Sequence, residues 1–574
     1  MRSFLIPGLI GLLLATPGLA QTRADPEAAT GFAAKPLVTA RNHMIVSANP
    51  HASTAGDSTM QQGGSAADAA IAALLVLNVV EPQSSGIGGG AFAVIRGPDG
   101  LTTLDARETA PAGATPDMFM ENGEPVPFFT AVLGGQSTGV PGLVRLMEEL
   151  HKRHGKLAWA ELFEPAIRLA SDGFEVSPRL SGLLNRFASR LDGTDAAALF
   201  VPDGKALDTG VILRQPELAV TLRDIAENGA DAFYTGEIAR AVVNKIAEAP
   251  RPGTMSLEDL AVYQVIERPA VCAPYLGYQV CGMGPPSSGA TTVGQILMLI
   301  DRFKTADMKA DDPELWHLFA EASRLAYADR ARYLADSDFI NVPVKGLLDL
   351  NYIRERADLI STTRASADRA NAGEPPWREG RIHVPDIQLD RPGTTHLSIV
   401  DADGLAISLT ASIETAFGSQ RIAKGFLLNN QLTDFSFRPD RDGRPIANSV
   451  APGKRPRSSM SPTIVLMGGD QMILTGSPGG SRIPEYVAQN LVGMLQLDLD
   501  PAEAAALPHV SQRNRGSLAL EAGTPKAVIE SLVSKGHAIE MKDQNSGVHT
   551  IYVKAGGRLS GGADPRREGV AIGR

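Results

Sequence analysis

The chain has 574 residues, of which 43% are hydrophobic and 21% are charged, a composition that is ordinary for a soluble globular protein. Its 54 Lys and Arg residues against 64 Asp and Glu residues give a net charge of -10, without a basic run. An acidic surface repels phosphate backbones, so a nucleic-acid partner is not expected.

The N-terminus has the pattern of a signal peptide. An apolar run over residues 4–15 precedes the small residues Gly18 and Ala20, which suit a signal peptidase. The run is too short to span a bilayer, which disfavours the alternative of an uncleaved anchor. We expect residues 1–20 to be removed and the protein to be exported, to a periplasm or outside the cell, without a stable membrane anchor.

Several segments of the first two thirds have clear secondary-structure signatures. Residues 44–48 are predicted as a strand and Ala66–Val80 as an Ala/Leu-rich helix. The glycine cluster 86–90 lies between that helix and a predicted strand over 91–96. This order is the reverse of a phosphate loop, so the cluster indicates a close-packed turn. Residues 313–334 form the clearest helical pattern, with a proline at the start.

The two cysteines, Cys272 and Cys281, flank a hairpin-turn pattern at residues 275–278. Facing positions on a hairpin can meet disulfide geometry, and the bond would persist in an exported protein. Two buried free thiols are the alternative. We expect a local disulfide and not a redox centre, because the sequence has no Cys-x-x-Cys motif.

The character of the sequence changes sharply before residue 394. Residues 361–393 are polar, charge-rich and proline-containing, which predicts an exposed, mobile segment. Two alternating apolar stretches follow, at 395–400 and 405–413, and the turn sequence at 401–404 joins them as a hairpin. A mobile segment that leads into a buried hairpin is what a cleavage boundary requires.

Thr394 stands at this boundary. A threonine hydroxyl is a weak nucleophile, but the α-amine of the same residue, with a pKa of about 7.7–8.0, can act as its base when the threonine begins a chain. That requires cleavage after Gly393, which has no β-carbon and tolerates a strained scissile peptide. The alternative is that Thr394 and Thr395 reflect only the preference of threonine for strands.

Ordered motifs along the chain favour the catalytic interpretation. They occupy residues 81–90, 104–111, 225–229, 285–289, 429–435, 454–462 and 475–481. Through them the sequence, from about Met44 to the C-terminus, resembles the γ-glutamyltransferase family of N-terminal nucleophile hydrolases. The resemblance implies an α+β fold, a four-layer αββα sandwich built from two fragments. Residues 21–393 would be the large subunit and residues 394–574 the small catalytic subunit, and the two would form a heterodimer.

The resemblance also implies catalytic roles. Thr394 would attack the Gly393 carbonyl to cleave the chain, and would then form a γ-glutamyl ester in the mature enzyme. Ser412 would orient its hydroxyl group, and the backbone N–H groups of Gly479 and Gly480 would stabilise the oxyanion.

The γ-glutamyl head group carries an α-carboxylate and an α-ammonium, so its pocket needs both signs of charge. The residues implied for the carboxylate are Arg107, Ser458 and Ser459, and those implied for the ammonium are Asp434, Glu414 and Gln431. Donors would be glutathione and other γ-glutamyl compounds, with water, amino acids or peptides as acceptors. No metal-ligand spacing is present, so no metal or cofactor is expected, and His396 is predicted to pack or hydrogen-bond.

Three features depart from the family pattern. Glu414 stands where many members have Asn, and Ser412 replaces Thr. Residues 435–453 are shorter than the lid-bearing form of the family and contain no Tyr. A closing lid is therefore not expected, and we expect hydrolysis to compete well with transfer.

Two alternatives remain. A glutaryl-type cephalosporin acylase resembles this family, but its acyl group has no α-ammonium and needs no carboxylate at Asp434; Asp434 and Glu414 together favour the amino-acid substrate. The second alternative is a non-catalytic exported binding protein on the same scaffold, which the retained Thr394 and Arg107 disfavour.

Overall fold

Two seven-stranded antiparallel sheets form the centre of the protein. The computed structural model describes residues 31–303, 305, 307–376, 383–386 and 393–574. The predicted signal peptide and parts of the predicted mobile segment lie outside these residues.

The first sheet carries Thr394. Its strands, in spatial order, are Val570–Gly573, Met44–Ser47, Thr394–Val400, Ala406–Ser412, Gly90–Gly97, Gly100–Ala106 and Ile266–Arg268. The second sheet has the order Val38–Ala40, Leu559–Ala563, His549–Val553, Met472–Thr475, Thr463–Leu466, Tyr278–Gly282 and Val271–Tyr275. Both sheets contain strands from either side of residue 394, so the two predicted fragments are interleaved.

Helices cover the outer face of each sheet. Those packed beside the first sheet are Pro50–Gln61, Ala66–Val80, Leu143–His154, Glu164–Asp172, Pro178–Leu191, Asp195–Phe200, Pro216–Asn228, Asp231–Tyr234 and Gly236–Ala247. Those beside the second sheet are Gly289–Ile300, Pro313–Tyr333, Leu350–Ala357, Ile483–Leu495, Pro501–Ala506 and Lys526–Ser534. Three shorter helices, Phe128–Val132, Leu257–Ala261 and Val344–Leu347, lie in the connections.

A third apolar core lies between the sheets. It joins side chains of the first sheet, such as Val46 and Val94, to side chains of the second, such as Ile464 and Leu474. Burying both faces of both sheets in this way gives the helix–sheet–sheet–helix order. The predicted four-layer αββα fold is therefore confirmed.

The strongest local patterns also form the predicted elements. The helix Ala66–Val80 begins with a capping box between Ser65 and Asp68, and the long helix spans Pro313–Tyr333. Residues 86–90 form a close-packed turn, because a Cβ on Gly88 would lie 2.2 Å from the Leu427 carbonyl oxygen. Across the described ranges, no helix combines the length and apolar character needed to cross a bilayer.

The described parts of the segment before residue 394 lie mainly at the surface. Residues 361–376 are mostly exposed, yet hydrogen bonds attach them to the body of the protein. The Gly373 N–H donates to Asp329 Oδ1 at 2.8 Å, and the Gly373 carbonyl accepts from the Tyr333 hydroxyl at 2.7 Å. The mobility predicted for residues 361–393 stays a prediction.

The predicted disulfide between Cys272 and Cys281 is present. The two residues face each other across the hairpin that forms the edge of the second sheet. This bond joins residues only nine positions apart and closes a short loop, so it stabilises the hairpin locally.

We expect the double variant Cys272→Ser/Cys281→Ser to lose about 2–3 kcal/mol of stability, since the chain-entropy cost of closing so short a loop is of this size. A thermal melt with and without reductant measures the effect. The reductant should lower the melting midpoint of the wild type and leave that of the double variant unchanged. An identical wild-type midpoint in both conditions would contradict a stabilising bond.

Candidate active site

Thr394 begins a fully buried strand and lies directly opposite Ser412 on the neighbouring strand. Its hydroxyl donates to Ser412 Oγ at 3.3 Å, and Ser412 Oγ donates to the Gly393 carbonyl oxygen at 2.8 Å. The Ile413 N–H donates to the same oxygen at 3.3 Å. Two donors thus polarise the carbonyl group that precedes Thr394, and they can stabilise negative charge on its oxygen.

The glycine before Thr394 is required by space. A Cβ on Gly393 would lie 2.1 Å from the Glu414 carbonyl oxygen and 2.6 Å from the carbonyl carbon of Thr415. The φ angle of Gly393 is not in the left-handed region that favours glycine. Close packing against Glu414 and Thr415 is a physical reason for glycine at this position, and the predicted tolerance of a strained scissile peptide stays a prediction.

Glu414 follows the strand that carries Ser412 and turns its backbone sharply. Its φ of 81° lies in the left-handed region, which is unfavourable for a residue with a side chain. Two contacts hold it there: the Glu414 N–H donates to Ser412 Oγ at 2.9 Å, and Asn430 Nδ2 donates to Glu414 Oε2 at 2.5 Å. Asn430 was not predicted as a site residue; it lies in the 429–435 motif, but no spacing distinguishes it there.

Arg107 and Asp434 form a buried ion pair. Arg107 Nη2 donates to Asp434 Oδ2 at 2.5 Å, and Gln431 Nε2 donates to the same oxygen at 2.7 Å. Arg107 is 1% exposed and Asp434 is 5% exposed, so the two opposite charges compensate each other away from bulk water. Gln431 follows Asn430 in the chain, and Asn430 contacts Glu414. The Arg107–Asp434 pair is therefore connected to Glu414, and through Glu414 to Ser412.

Glu108 is a second buried carboxylate beside Arg107. Its Oε2 lies 3.7 Å from Arg107 Nη1, and neither carboxylate oxygen has a hydrogen-bond partner within the part of the chain that the structure describes. Burial raises the pKa of Glu108 to about 7, against the opposing charge of Arg107. The group therefore changes protonation near neutral pH. Glu108 lies within the motif at residues 104–111, but the sequence did not indicate that this residue is buried.

Ser458 and Ser459 directly follow a backbone segment that contacts Arg107, since Arg107 Nε donates to the Pro456 carbonyl at 3.2 Å and Nη2 donates to the Arg457 carbonyl at 3.3 Å. Ser459 Oγ accepts a hydrogen bond of 2.6 Å from Arg330 Nη2. Arg330 was also not predicted, because it lies within the helix Pro313–Tyr333 without any motif of its own.

Gly479 and Gly480 lie where the strand Met472–Thr475 leads into the helix Ile483–Leu495. Their φ angles of 137° and 58° are both in the region that favours glycine. A Cβ on Gly479 would also lie 2.5 Å from the Tyr486 ring. Among the described residues no hydrogen bond joins either glycine to Thr394. Backbone N–H groups ahead of a helix are nevertheless well suited to bind an anion.

His396 connects the Thr394 strand with the strand that leads to the two glycines. Its Nδ1 lies 2.9 Å from Thr410 Oγ1, and a Cβ on Gly476 would lie 2.3 Å from its ring. Complete burial lowers the pKa of His396 well below its usual value, so the ring is neutral. It packs and hydrogen-bonds, as predicted. No cluster of metal-ligating side chains occurs among the residues that the structure describes.

Residues 435–453 contain a short hairpin, Asp440–Arg441 paired with Arg444–Pro445. Phe437 stacks on Phe119 with ring centroids 4.6 Å apart, and the Ser436 N–H donates to the Asn448 carbonyl at 2.9 Å. These contacts attach the segment to a small apolar cluster beside the site. The absence of a closing lid stays a prediction.

Comparisons with known proteins cover nearly the whole chain. A family profile described as Gamma-glutamyltranspeptidase matches residues 52–574. The "Glutathione hydrolase proenzyme" of Bacillus subtilis (strain 168) is 35% identical over 99% of this chain and 98% of its own length. The "Acylase ACY 1 proenzyme" of Pseudomonas sp. (strain SE83) is 33% identical over 92% of this chain and 93% of its own length. The crystal structure of a cephalosporin acylase from Bacillus halodurans is similar, with a TM-score of 0.83, 27% sequence identity, and coverage of 96% of this chain and 99% of that chain.

Ser412 provides a direct test of this geometry. Ser412→Ala removes one of the two donors to the Gly393 carbonyl, so we expect chain cleavage to slow by roughly a hundredfold or more. Ser412→Thr keeps the hydroxyl group and should cleave at a rate close to that of the wild type. A time course on a denaturing gel measures both rates. Equal cleavage rates in the wild type and Ser412→Ala would contradict the assignment.

Proposed function

This chain belongs to the gamma-glutamyltranspeptidase family, and we propose that it is a self-cleaving γ-glutamyltransferase and glutathione hydrolase with Thr394 as its nucleophile. The observation that carries the proposal is the buried pair of Arg107 and Asp434, connected through Gln431, Asn430 and Glu414 to the Thr394–Ser412 pair. A cation and an anion side by side match the two charges of an α-amino-acid head group.

Cleavage is the first step of the proposed mechanism. Thr394 Oγ1 attacks the Gly393 carbonyl carbon, while the Ser412 hydroxyl and the Ile413 N–H stabilise charge on its oxygen. The acyl group moves from nitrogen to oxygen, and the hydroxyl proton ends on the departing nitrogen. Water then hydrolyses the ester, which releases Thr394 as a new N-terminus with a free α-amine. The two chains, 21–393 and 394–574, stay together because both sheets contain strands from each.

Turnover of substrate follows the same chemistry. The α-amine of Thr394, with a pKa of about 7.7–8.0 when unperturbed, takes the hydroxyl proton as the oxygen attacks the γ-carbonyl. The backbone N–H groups of Gly479 and Gly480 stabilise the tetrahedral oxygen. The amine product leaves with a proton, and the ester on Thr394 is then attacked by water or by an amino group.

The substrate head group is assigned to the buried charges. Arg107, with the hydroxyls of Ser458 and Ser459, binds the α-carboxylate. Asp434 and Glu414 bind the α-ammonium, and the Gln431 side chain supports Asp434. Because residues 435–453 are a short, attached segment, water reaches the ester readily and hydrolysis competes with transfer.

An acylase acting on glutaryl amides is the second candidate function. The similarity to the Pseudomonas and Bacillus halodurans acylases favours it, since each covers more than nine-tenths of this chain. A glutaryl group, however, has no ammonium to compensate Glu414 and Asp434. A non-catalytic binding role is disfavoured by the polarised carbonyl before Thr394, which a binding protein does not need.

Export is part of the proposal. The signal-peptide pattern at residues 1–20 supports it, and so does the disulfide between Cys272 and Cys281, a bond that persists in oxidising compartments. We propose a periplasmic or secreted enzyme.

Rates on γ-glutamyl-4-nitroanilide and glutaryl-4-nitroanilide test the substrate assignment. The wild type should have the higher kcat/KM on the γ-glutamyl donor. Glu414→Gln removes one charge but keeps an acceptor for Asn430, so we expect it to lower kcat/KM for the γ-glutamyl donor by roughly tenfold. Its rate on the glutaryl donor should be unchanged. A wild type that prefers the glutaryl donor would contradict the proposal in favour of the acylase.

A further inference from the structure

Arg330 lies on a buried turn of the helix Pro313–Tyr333 and contacts the segment that carries Ser458 and Ser459. Its side chain is 5% exposed. Nη2 donates to Ser459 Oγ at 2.6 Å, and Nε donates to Ser288 Oγ at 2.9 Å. Two donors of one planar guanidinium group are thus bound at separate positions, which fixes the orientation of the side chain.

Ser288 extends this contact to Ser458. The Ser288 hydroxyl accepts from Arg330 and donates to the Ser458 carbonyl at 2.7 Å, and the Ser288 N–H donates to the same carbonyl at 2.8 Å. The Ser458 N–H donates in turn to the Pro286 carbonyl at 3.0 Å. Arg330 therefore supports both serines of the site, Ser459 directly and Ser458 through Ser288.

The contact with Arg330 also determines the direction of the Ser459 hydroxyl proton. A guanidinium group has N–H donors and no acceptor, so Ser459 Oγ is the acceptor in this hydrogen bond. The single hydroxyl proton of Ser459 is then directed away from Arg330. A hydrogen bond from a charged group also polarises the hydroxyl group, which makes it a stronger donor.

The same helix contacts the segment that follows the glycine pair. Tyr327 lies three residues before Arg330, and its hydroxyl donates to the Ser481 carbonyl. The Arg330 guanidinium carbon lies 5.9 Å from the centroid of the Tyr327 ring. Residues three apart share one face of a helix. One face of this helix therefore contacts both the segment proposed to bind the α-carboxylate and the segment proposed to bind the acyl oxygen.

We propose that Arg330 is a positioning residue that orients the Ser459 hydroxyl group towards the α-carboxylate of the donor. The inference rests on the proposed function, in which Arg107, Ser458 and Ser459 bind that carboxylate. Arg107 supplies the charge that attracts the carboxylate, whereas Arg330 acts through Ser459 and Ser288. A hydroxyl group that is oriented before the donor binds does not have to be ordered during binding, so the affinity for the carboxylate is higher.

Three donors with the same 4-nitroaniline leaving group test the proposal. The γ-glutamyl and glutaryl donors carry the carboxylate, and the 4-aminobutyryl donor lacks it. Arg330→Gln should lower kcat/KM for the two carboxylate donors by roughly tenfold or more, and for the 4-aminobutyryl donor by less than about threefold, since the lost hydrogen bond to a charged group matters only for carboxylate binding. Arg330→Lys keeps a charged donor and should recover part of the loss.

A double-mutant cycle with Ser459→Ala tests whether Arg330 acts through Ser459. On the γ-glutamyl donor, adding Arg330→Gln to Ser459→Ala should cost about threefold or less, because the hydroxyl group that Arg330 orients is already absent. Losses that multiply independently would contradict the proposed role.

Arg332→Gln is the matched control. Arg332 is a half-buried arginine of the same helix, its guanidinium carbon lies 5.2 Å from the centroid of the Tyr333 ring, and its substitution should leave all three rates unchanged. Appearance of both fragments on a denaturing gel verifies that each variant has folded and cleaved. If Arg330→Gln does not give two fragments, Ser288→Ala, which removes the acceptor of Arg330 Nε, is measured on the same donors and should affect only those with a carboxylate. Equal losses on all three donors, or no loss on any, would overturn the proposal.

Failure of the proposed function gives a different result. A wild type that prefers the glutaryl donor would refute the γ-glutamyl assignment, and the comparison of glutaryl with 4-aminobutyryl donors would still test Arg330, because the glutaryl group keeps the carboxylate. A wild type that prefers the γ-glutamyl donor, combined with equal losses in Arg330→Gln on every donor, would overturn only the role of Arg330. Inactivity of the cleaved wild type towards all three donors would overturn both.

Discussion

Thr394 pairs with Ser412 across two antiparallel strands. This pairing fixes the relative positions of the Thr394 hydroxyl group, the Gly393 carbonyl and the groups that donate hydrogen bonds to that carbonyl. The strands lie in the middle of a seven-stranded sheet that is covered on both faces, so neither can slip without exposing its apolar side chains. Gly393 packs against the Glu414 backbone, and this contact holds the peptide next to Ser412. The remaining features of the site depend on this register.

Buried charge forms a second constraint. Arg107, Asp434 and Glu108 lie together in a region closed to bulk water, and the fold supports them with the carbonyls of Pro456 and Arg457 and the amide of Gln431. Such a cluster is costly unless it is fully paired, which makes it poor as a general stabilising device. The cluster is well suited to a ligand that carries both a positive and a negative charge.

Local elements could be predicted from the sequence because their determinants are local. The helix Ala66–Val80 follows from its capping residues and composition, and the hairpin after Thr394 follows from alternation and the turn at 401–404. A short turn also fixes the register, so the position of Ser412 opposite Thr394 was within reach of the sequence. By contrast, Arg107 and Asp434 are 327 positions apart, and no periodic pattern relates them. Only the family resemblance brought them into one site.

Other contributors escaped prediction for the same reason. Asn430 acts by supporting Glu414, and Arg330 reaches Ser459 from the helix Pro313–Tyr333, so their roles exist only in the folded chain. The close packing of Gly393 against the backbone of Glu414 and Thr415 was likewise not predicted. In each case the deciding fact is the proximity of a tertiary neighbour.

The most direct test of the account is the intact mass of the purified, active protein after reaction with an electrophilic γ-glutamyl analogue. The account predicts two chains, with the smaller one beginning at Thr394 and carrying the label on that residue, and a Thr394→Ala variant that stays unlabelled and uncleaved. A full-length chain that turns over substrate, or a label on any other residue, would contradict it.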